Sequence, residues 1–226
     1  MTETSIREIY SVLEQNNALI VHFSGAPKGS GKYRHDHIYP KDLLHVINCY
    51  AQGGVSCSTV MPTDNFHGRD RNATGCIGVV LGLKNDCSVT SAAPNDVGSI
   101  ESRNGIREAQ GQIINIAAIN ASISDRQKNE YNEWVVRDYF VIGVLAVPPF
   151  EVMKLRTPVF PPDMPEYFID STPQPEINQT TLTQVESFFP NNRIFTFCDG
   201  SIFEYKSGTT QPCKHGDIYQ KIKAEF

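Results

Sequence analysis

The chain has 226 residues, 40% of them hydrophobic, enough to bury one substantial core and to form a single domain with appendages. Its 25 acidic residues outnumber the 20 Lys and Arg, giving a net charge of −5 with no basic block, which argues against a long groove that tracks nucleic-acid phosphates. A membrane span needs roughly 18 or more apolar residues, and the longest apolar run here, Phe140 to Phe150, is broken by Gly143, Pro148 and Pro149.

The N-terminus, Met1 to Glu8, mixes charged and polar residues and lacks the basic flank and apolar block of a secretory signal. A soluble, cytoplasmic protein is expected, or one exported by a route without a Sec-type signal. The six cysteines, Cys49, Cys57, Cys76, Cys87, Cys198 and Cys213, include no C-x-x-C pair, so neither a zinc knuckle nor a dithiol motif is present. Reduced thiols are expected; three disulfides would suit a secreted chain.

In chain order, Ile6, Ile9, Tyr10 and Leu13 fall at helical spacing and predict an amphipathic helix over 5–15, closed by Asn16 and Asn17. Ala18 to Phe23 is a compact β-favouring run with His22 as its one polar residue. A loop rich in glycine and basic residues spans Gly25 to Arg34. Pro40 then opens a predicted helix over Lys41 to Gln52, which Gly53-Gly54 ends. Val55 to Met61 and Cys76 to Leu83 predict strands, the glycines of the second suggesting a bulge or a close backbone approach. Residues 84–111 are mostly turn formers. Gln112 to Ile119 is a strand candidate, and Glu133 to Asp138 with Tyr139 to Val147 are two short strands or one bent one. After Pro148-Pro149 come a Pro-rich and aromatic stretch, a predicted helix at Thr181 to Phe189 and a hairpin around Phe195 to Tyr205 that turns at Asp199-Gly200.

Two local motifs carry little. Gly25 to Lys32 looks like a phosphate-binding loop, but it has five residues where the motif has four, and Tyr33 stands where a magnesium-binding hydroxyl belongs. His35 and His37 fall on the same side of an extended segment, yet no third ligand stands at motif spacing, so no metal is expected.

A distributed constellation carries more. His22 lies in the strand Ile20-Val21-His22-Phe23-Ser24, Ser56 and Ser58 with Thr59 lie in the strand after Gly54, and Glu133 opens the late strand Glu133-Trp134-Val135-Val136. This order resembles the ADP-ribosyltransferase superfamily of bacterial toxins and effectors over about residues 18–150. The segment His22-Phe23-Ser24 is similar to the His-Phe-Thr start of its DNA-modifying branch. The resemblance implies an α+β fold with a split β-sheet core and flanking helices, residues 18–150 forming the NAD⁺-binding catalytic core and 151–226 a C-terminal extension packed on it. It implies Glu133 as the catalytic carboxylate, His22, Phe23, Ser24, Ser56, Ser58 and Thr59 as NAD⁺-binding residues, and Glu130 and Tyr131 in the acceptor-facing loop. Many family members carry Gln or Glu two residues before the catalytic Glu. Tyr131 stands there in this chain and Glu130 one residue earlier, which weakens arginine-directed transfer.

The chemistry gives these residue types a reason. Cleaving the nicotinamide–ribose bond passes through an oxocarbenium-like state, which a carboxylate stabilises. A buried neutral histidine can offer one ring nitrogen to a ribose hydroxyl while the other is satisfied locally. NAD⁺ would be a substrate, no metal would be needed, and the acidic composition favours a protein acceptor, a host protein among the candidates, over a nucleic acid. Two alternatives stay open: a non-enzymatic binding or inhibitor module that uses Pro158 to Phe168 as its contact surface, and a hydrolase pairing His22 with Cys57 or Ser58 as nucleophile.

Overall fold

The computed structural model describes residues 4–23, 37–38, 54–64, 77–94, 114–125, 132–146, 153–156, 166–169 and 179–223. The first helix, α1 (Ile6–Gln15), starts where the sequence supplies a reciprocal cap. The Ser5 hydroxyl accepts the Glu8 N–H while the Glu8 carboxylate accepts the Ser5 N–H, and Ile6, Ile9, Tyr10, Val12 and Leu13 form the buried stripe. Asn17, at φ 51°, turns the chain out of the helix into β1 (Leu19–Phe23), as the Asn16-Asn17 pair predicts.

The expected strands appear as β3 (Val55–Val60), β4 (Ile77–Leu83), β6 (Glu133–Val136) and β7 (Tyr139–Ala146), and β4 carries the anticipated irregularity, a register shift between Val80 and Leu81. The hairpin near the C-terminus is β10 (Arg193–Cys198) and β11 (Ser201–Lys206). Asp199 and Gly200 both have positive φ, the backbone that a two-residue hairpin loop requires. Ser207 and Gly208 repeat this conformation and add β12 (Thr209–Pro212). Together with β5 (Val89–Ala93), these strands form a nine-stranded sheet in the order β12-β11-β10-β7-β4-β1-β3-β6-β5. The pairs are antiparallel except β7 with β10, which run parallel. Gly143 permits that contact, because a Cβ there would run into the Arg193 carbonyl oxygen and lie 2.8 Å from the Phe195 ring. A three-stranded sheet, β2-β9-β8, consists of β2 (His37–Ile38), β9 (Glu166–Ile169) and β8 (Met153–Arg156).

Three further helices complete the described fold, which is α+β: α2 (Ile116–Ser124), α3 (Gln179–Phe188) and α4 (His215–Lys223). The strand expected over Gln112 to Ile119 is corrected by α2. Asn115 caps it by accepting the Ala118 N–H, and Ile119, Ser122 and Ile123 form a buried face at helical spacing. The β-branched isoleucines suggest a strand, but their spacing belongs to a helix. The opposite error concerns β5, an edge strand of which Val89 alone is buried and which reads in sequence as a turn-rich stretch. The segment 151–226 does more than pack on the core, since β10 to β12 extend the same sheet and α4 ties back to its first strand. Tyr219 Oη accepts the Ile20 N–H, and a His215 ring nitrogen bonds the Ala18 carbonyl at 2.8 Å. The predicted helix Lys41 to Gln52 and the contact segment Pro158 to Phe168, apart from its last residues in β9, lie outside the described residues. Among the described residues no helix is long and apolar enough to cross a membrane.

Candidate functional site

Three strands that are far apart in sequence lie side by side: β1 carrying His22, β3 carrying Ser56, and β6 opening with Glu133. In the β3–β6 ladder Ser56 is opposite Val135 and Cys57 opposite Trp134, so alternation puts Ser56, Ser58, Glu133 and Val135 on one face and Cys57, Trp134 and Val136 on the other. The Ser56 hydroxyl donates to Glu133 Oε1 at 2.7 Å on the exposed side of the sheet. Gly54 allows the close approach of β6 to this end of β3, for with φ at 89° a Cβ there would lie 2.7 Å from the Val135 side chain.

His22 reaches the same place from the other side. The β1–β3 ladder ends at Val21 opposite Ser58, so alternation directs His22 to the face of Cys57. Past that point the imidazole takes over from the main chain: Nδ1 lies 2.7 Å from the Ser56 carbonyl oxygen. Because a carbonyl only accepts, Nδ1 carries the proton and Nε2 presents a lone pair. Nε2 is buried and finds no hydrogen-bond partner among the described residues. Burial lowers the pKa of the ring below the ordinary histidine value, with the Ser56 carbonyl opposing, so the imidazole is neutral near pH 7. Ser56 is thus the hub, bonded through its carbonyl to His22 and through its hydroxyl to Glu133.

Of the other residues expected on β3, Ser58 and Thr59 are buried, and their hydroxyls are engaged by Asn132, whereas that of Ser56 bonds the Glu133 carboxylate. Phe23 lies in β1 beside Gly78 of β4. Ser24, Glu130, Tyr131, His35 and the loop Gly25 to Arg34 lie outside the described residues. The hydrolase alternative finds no support in the geometry. Cys57 donates to the Val55 carbonyl in a fully buried position, where burial and then the Glu133 charge push its thiol well above its ordinary value, while Ser58 donates to the Asn132 carbonyl at 2.7 Å. Neither nucleophile is paired with His22. Cys57, Cys87, Cys198 and Cys213 are free thiols, and no group of three His, Cys, Asp or Glu side chains that could hold a metal ion is found among the described residues.

Sequence reasoning missed the residues that support this end of the sheet. The Asn132 amide oxygen accepts the Thr59 N–H at 2.8 Å, and its NH₂ group donates to the Thr59 hydroxyl and, at 2.8 Å, to the Ser122 carbonyl of α2. Trp134 Nε1 donates to the Ser122 hydroxyl at 2.9 Å, and that hydroxyl donates onward to the Ile119 carbonyl. A lone Asn before a strand carries no signal of such a role. The one available hint was that the chain's single tryptophan lies next to the candidate carboxylate. Compared with protein families, curated proteins and solved structures, the chain matches none of them.

Proposed function

We propose that this chain is a mono-ADP-ribosyltransferase with an ADP-ribosyltransferase-like split sheet, transferring ADP-ribose from NAD⁺ to a macromolecular acceptor, a protein in preference to a nucleic acid. The observation that carries the reading is the hydrogen bond from Ser56 to Glu133, made across adjacent strands by two residues 77 positions apart in sequence. A serine hydroxyl that donates to one carboxylate oxygen fixes the carboxylate's direction on the exposed side of the sheet. His22 contributes from the opposite face, through its ring bond to the Ser56 carbonyl, which ties down the strand that carries the hydroxyl.

In the reaction the bond between nicotinamide nitrogen and ribose C1′ breaks, and its electron pair leaves with nicotinamide. Glu133 stabilises the positive charge that develops on the ribose. The acceptor's nucleophilic atom then bonds C1′ and gives up its proton, so NAD⁺ and acceptor become ADP-ribosyl acceptor, nicotinamide and H⁺. A toxin or host-directed effector is the biological setting this reading implies.

The test is incubation of the purified chain with labelled NAD⁺ and with bacterial and eukaryotic lysates, beside Glu133→Gln. The amide keeps an oxygen for Ser56 but loses the charge, so label transfer should fall by on the order of 10²-fold or more while the fold persists. An absence of NAD⁺ consumption in any lysate overturns the proposal. The binding-module reading is favoured by the strand alternation that turns His22 away from the Ser56–Glu133 face. It predicts that Glu133→Gln changes nothing measurable.

A further inference from the structure

Strand ends fray unless something ties them, and Glu133 is the first residue of its strand. A carboxylate at such a place should sample many directions, yet here both of its chain neighbours are held from beneath. Asn132 and Trp134 are completely buried, and both hydrogen-bond to one residue of α2: Asn132 to the Ser122 carbonyl and Trp134 to the Ser122 hydroxyl. Asn132 also grips β3, receiving the Thr59 N–H and the Ser58 hydroxyl, so its side chain continues the β3–β6 pairing past the last main-chain partners, Cys57 and Trp134. The residues before and after Glu133 are thus both anchored, and its carboxylate accepts from Ser56.

We infer that Asn132 and Ser122 are positioning residues, clamping the peptide on either side of Glu133 so that its carboxylate stands ready before a ligand arrives. This inference rests on the transferase reading of Glu133. Its physical content is that the ordering entropy of the carboxylate is met during folding instead of at each turnover, which is what a preorganised site requires. Neither residue touches the reacting atoms, so their effect should appear in the rate of the chemical step and leave NAD⁺ binding alone.

The experiment measures NAD⁺ turnover by the full chain, comparing wild type with the double variant Ser122→Ala/Trp134→Phe and with Asn132→Ser. The double variant removes the donor and acceptor of the Trp134–Ser122 bond together, and the Ile119 carbonyl that also loses the Ser122 hydroxyl is a main-chain acceptor within α2, which keeps the loss of stability small. Its kcat should drop on the order of 10- to 100-fold, as expected for a misplaced catalytic group, with KM for NAD⁺ within about twofold of wild type. A second readout needs no activity. The indole N–H of Trp134, the chain's only tryptophan, gives a single resonance, and its exchange with solvent should accelerate on the order of tenfold in Asn132→Ser if Asn132 and Trp134 share one anchor. An active wild type with the double variant and a folded Asn132→Ser both equally fast overturns the positioning inference alone. A wild type inert toward NAD⁺ overturns the transferase reading instead, and the indole exchange still decides whether the clamp exists. If Asn132→Ser does not fold, the kcat of the double variant decides.

Discussion

Replacing Gly143 by alanine should separate the C-terminal strands from the rest of the sheet. Gly143 lies in β7 opposite Val80 of β4 on one side and Arg193 of β10 on the other. A methyl group there would sit 2.8 Å from the Phe195 ring, whereas carbon atoms rest at about 3.5–4.0 Å. Phe195 is completely buried, and the second obstacle is the Arg193 carbonyl, which has no rotamer through which to yield. Overpacking against backbone belongs at the upper end of the usual range, about 3 kcal/mol. Strain on the adjacent ladder hydrogen bond adds about 1 kcal/mol, and the lower freedom of alanine in the unfolded chain returns about 1 kcal/mol. The net is a loss of about 3 kcal/mol, or roughly 6–12 °C in Tm for a chain of this size. Urea unfolding followed by the emission of Trp134 measures it directly. Gly208→Ala is the comparison: it has a positive φ but open space around it and should cost about 1 kcal/mol. A Gly143→Ala protein within 1 kcal/mol of wild type would refute the close parallel contact of β7 and β10.

Two further predictions concern the site. Ser56→Ala leaves Glu133 without its hydroxyl partner on an exposed face, so unfolding free energy should stay within about 1 kcal/mol while kcat for NAD⁺ falls roughly tenfold; equal turnover in the two proteins would remove Ser56 from the mechanism. His22 is held neutral below its ordinary value of 6.5, so the unfolded chain binds the extra proton first as pH falls. The contribution of His22 to stability is therefore present above about pH 6.5 and is lost as pH falls from there toward the lower folded-state value. The difference in unfolding free energy between wild type and His22→Gln should decline by up to about 1.4 kcal/mol per pH unit in that window. A flat difference, or one that rises on acidification, contradicts the assigned burial and tautomer.

Where local pattern and tertiary structure agreed, the sequence was readable. The stripe Ile6, Ile9, Tyr10, Leu13, the β-favouring run of β1 with its single polar His22, and the Asp199-Gly200 turn each announce their element by period, by composition or by backbone conformation. The adjacency of β1, β3 and β6 follows from no local pattern, so the meeting of His22, Ser56 and Glu133 rested on the order of their strands. The helix Ile116–Ser124 shows how a cap and a buried face override β-branched composition. The clamp around Asn132 was illegible because its members are ordinary polar residues whose meaning comes from burial and from partners some 10 and 73 positions away.

The parallel junction of β7 and β10 has a consequence for biosynthesis. Residues 139–146 leave the ribosome well before 193–198, and at 5–20 residues per second the interval lasts some seconds. Throughout it Val144, Leu145 and Ala146 form an apolar edge whose partner does not yet exist, a surface of the kind that recruits other chains. The central strand β1 waits longer still, until Tyr219 is made and can accept the Ile20 N–H. The nascent protein should therefore depend on a holding chaperone late in its synthesis, and a nonsense truncation before residue 193 should yield aggregates instead of a smaller working fold.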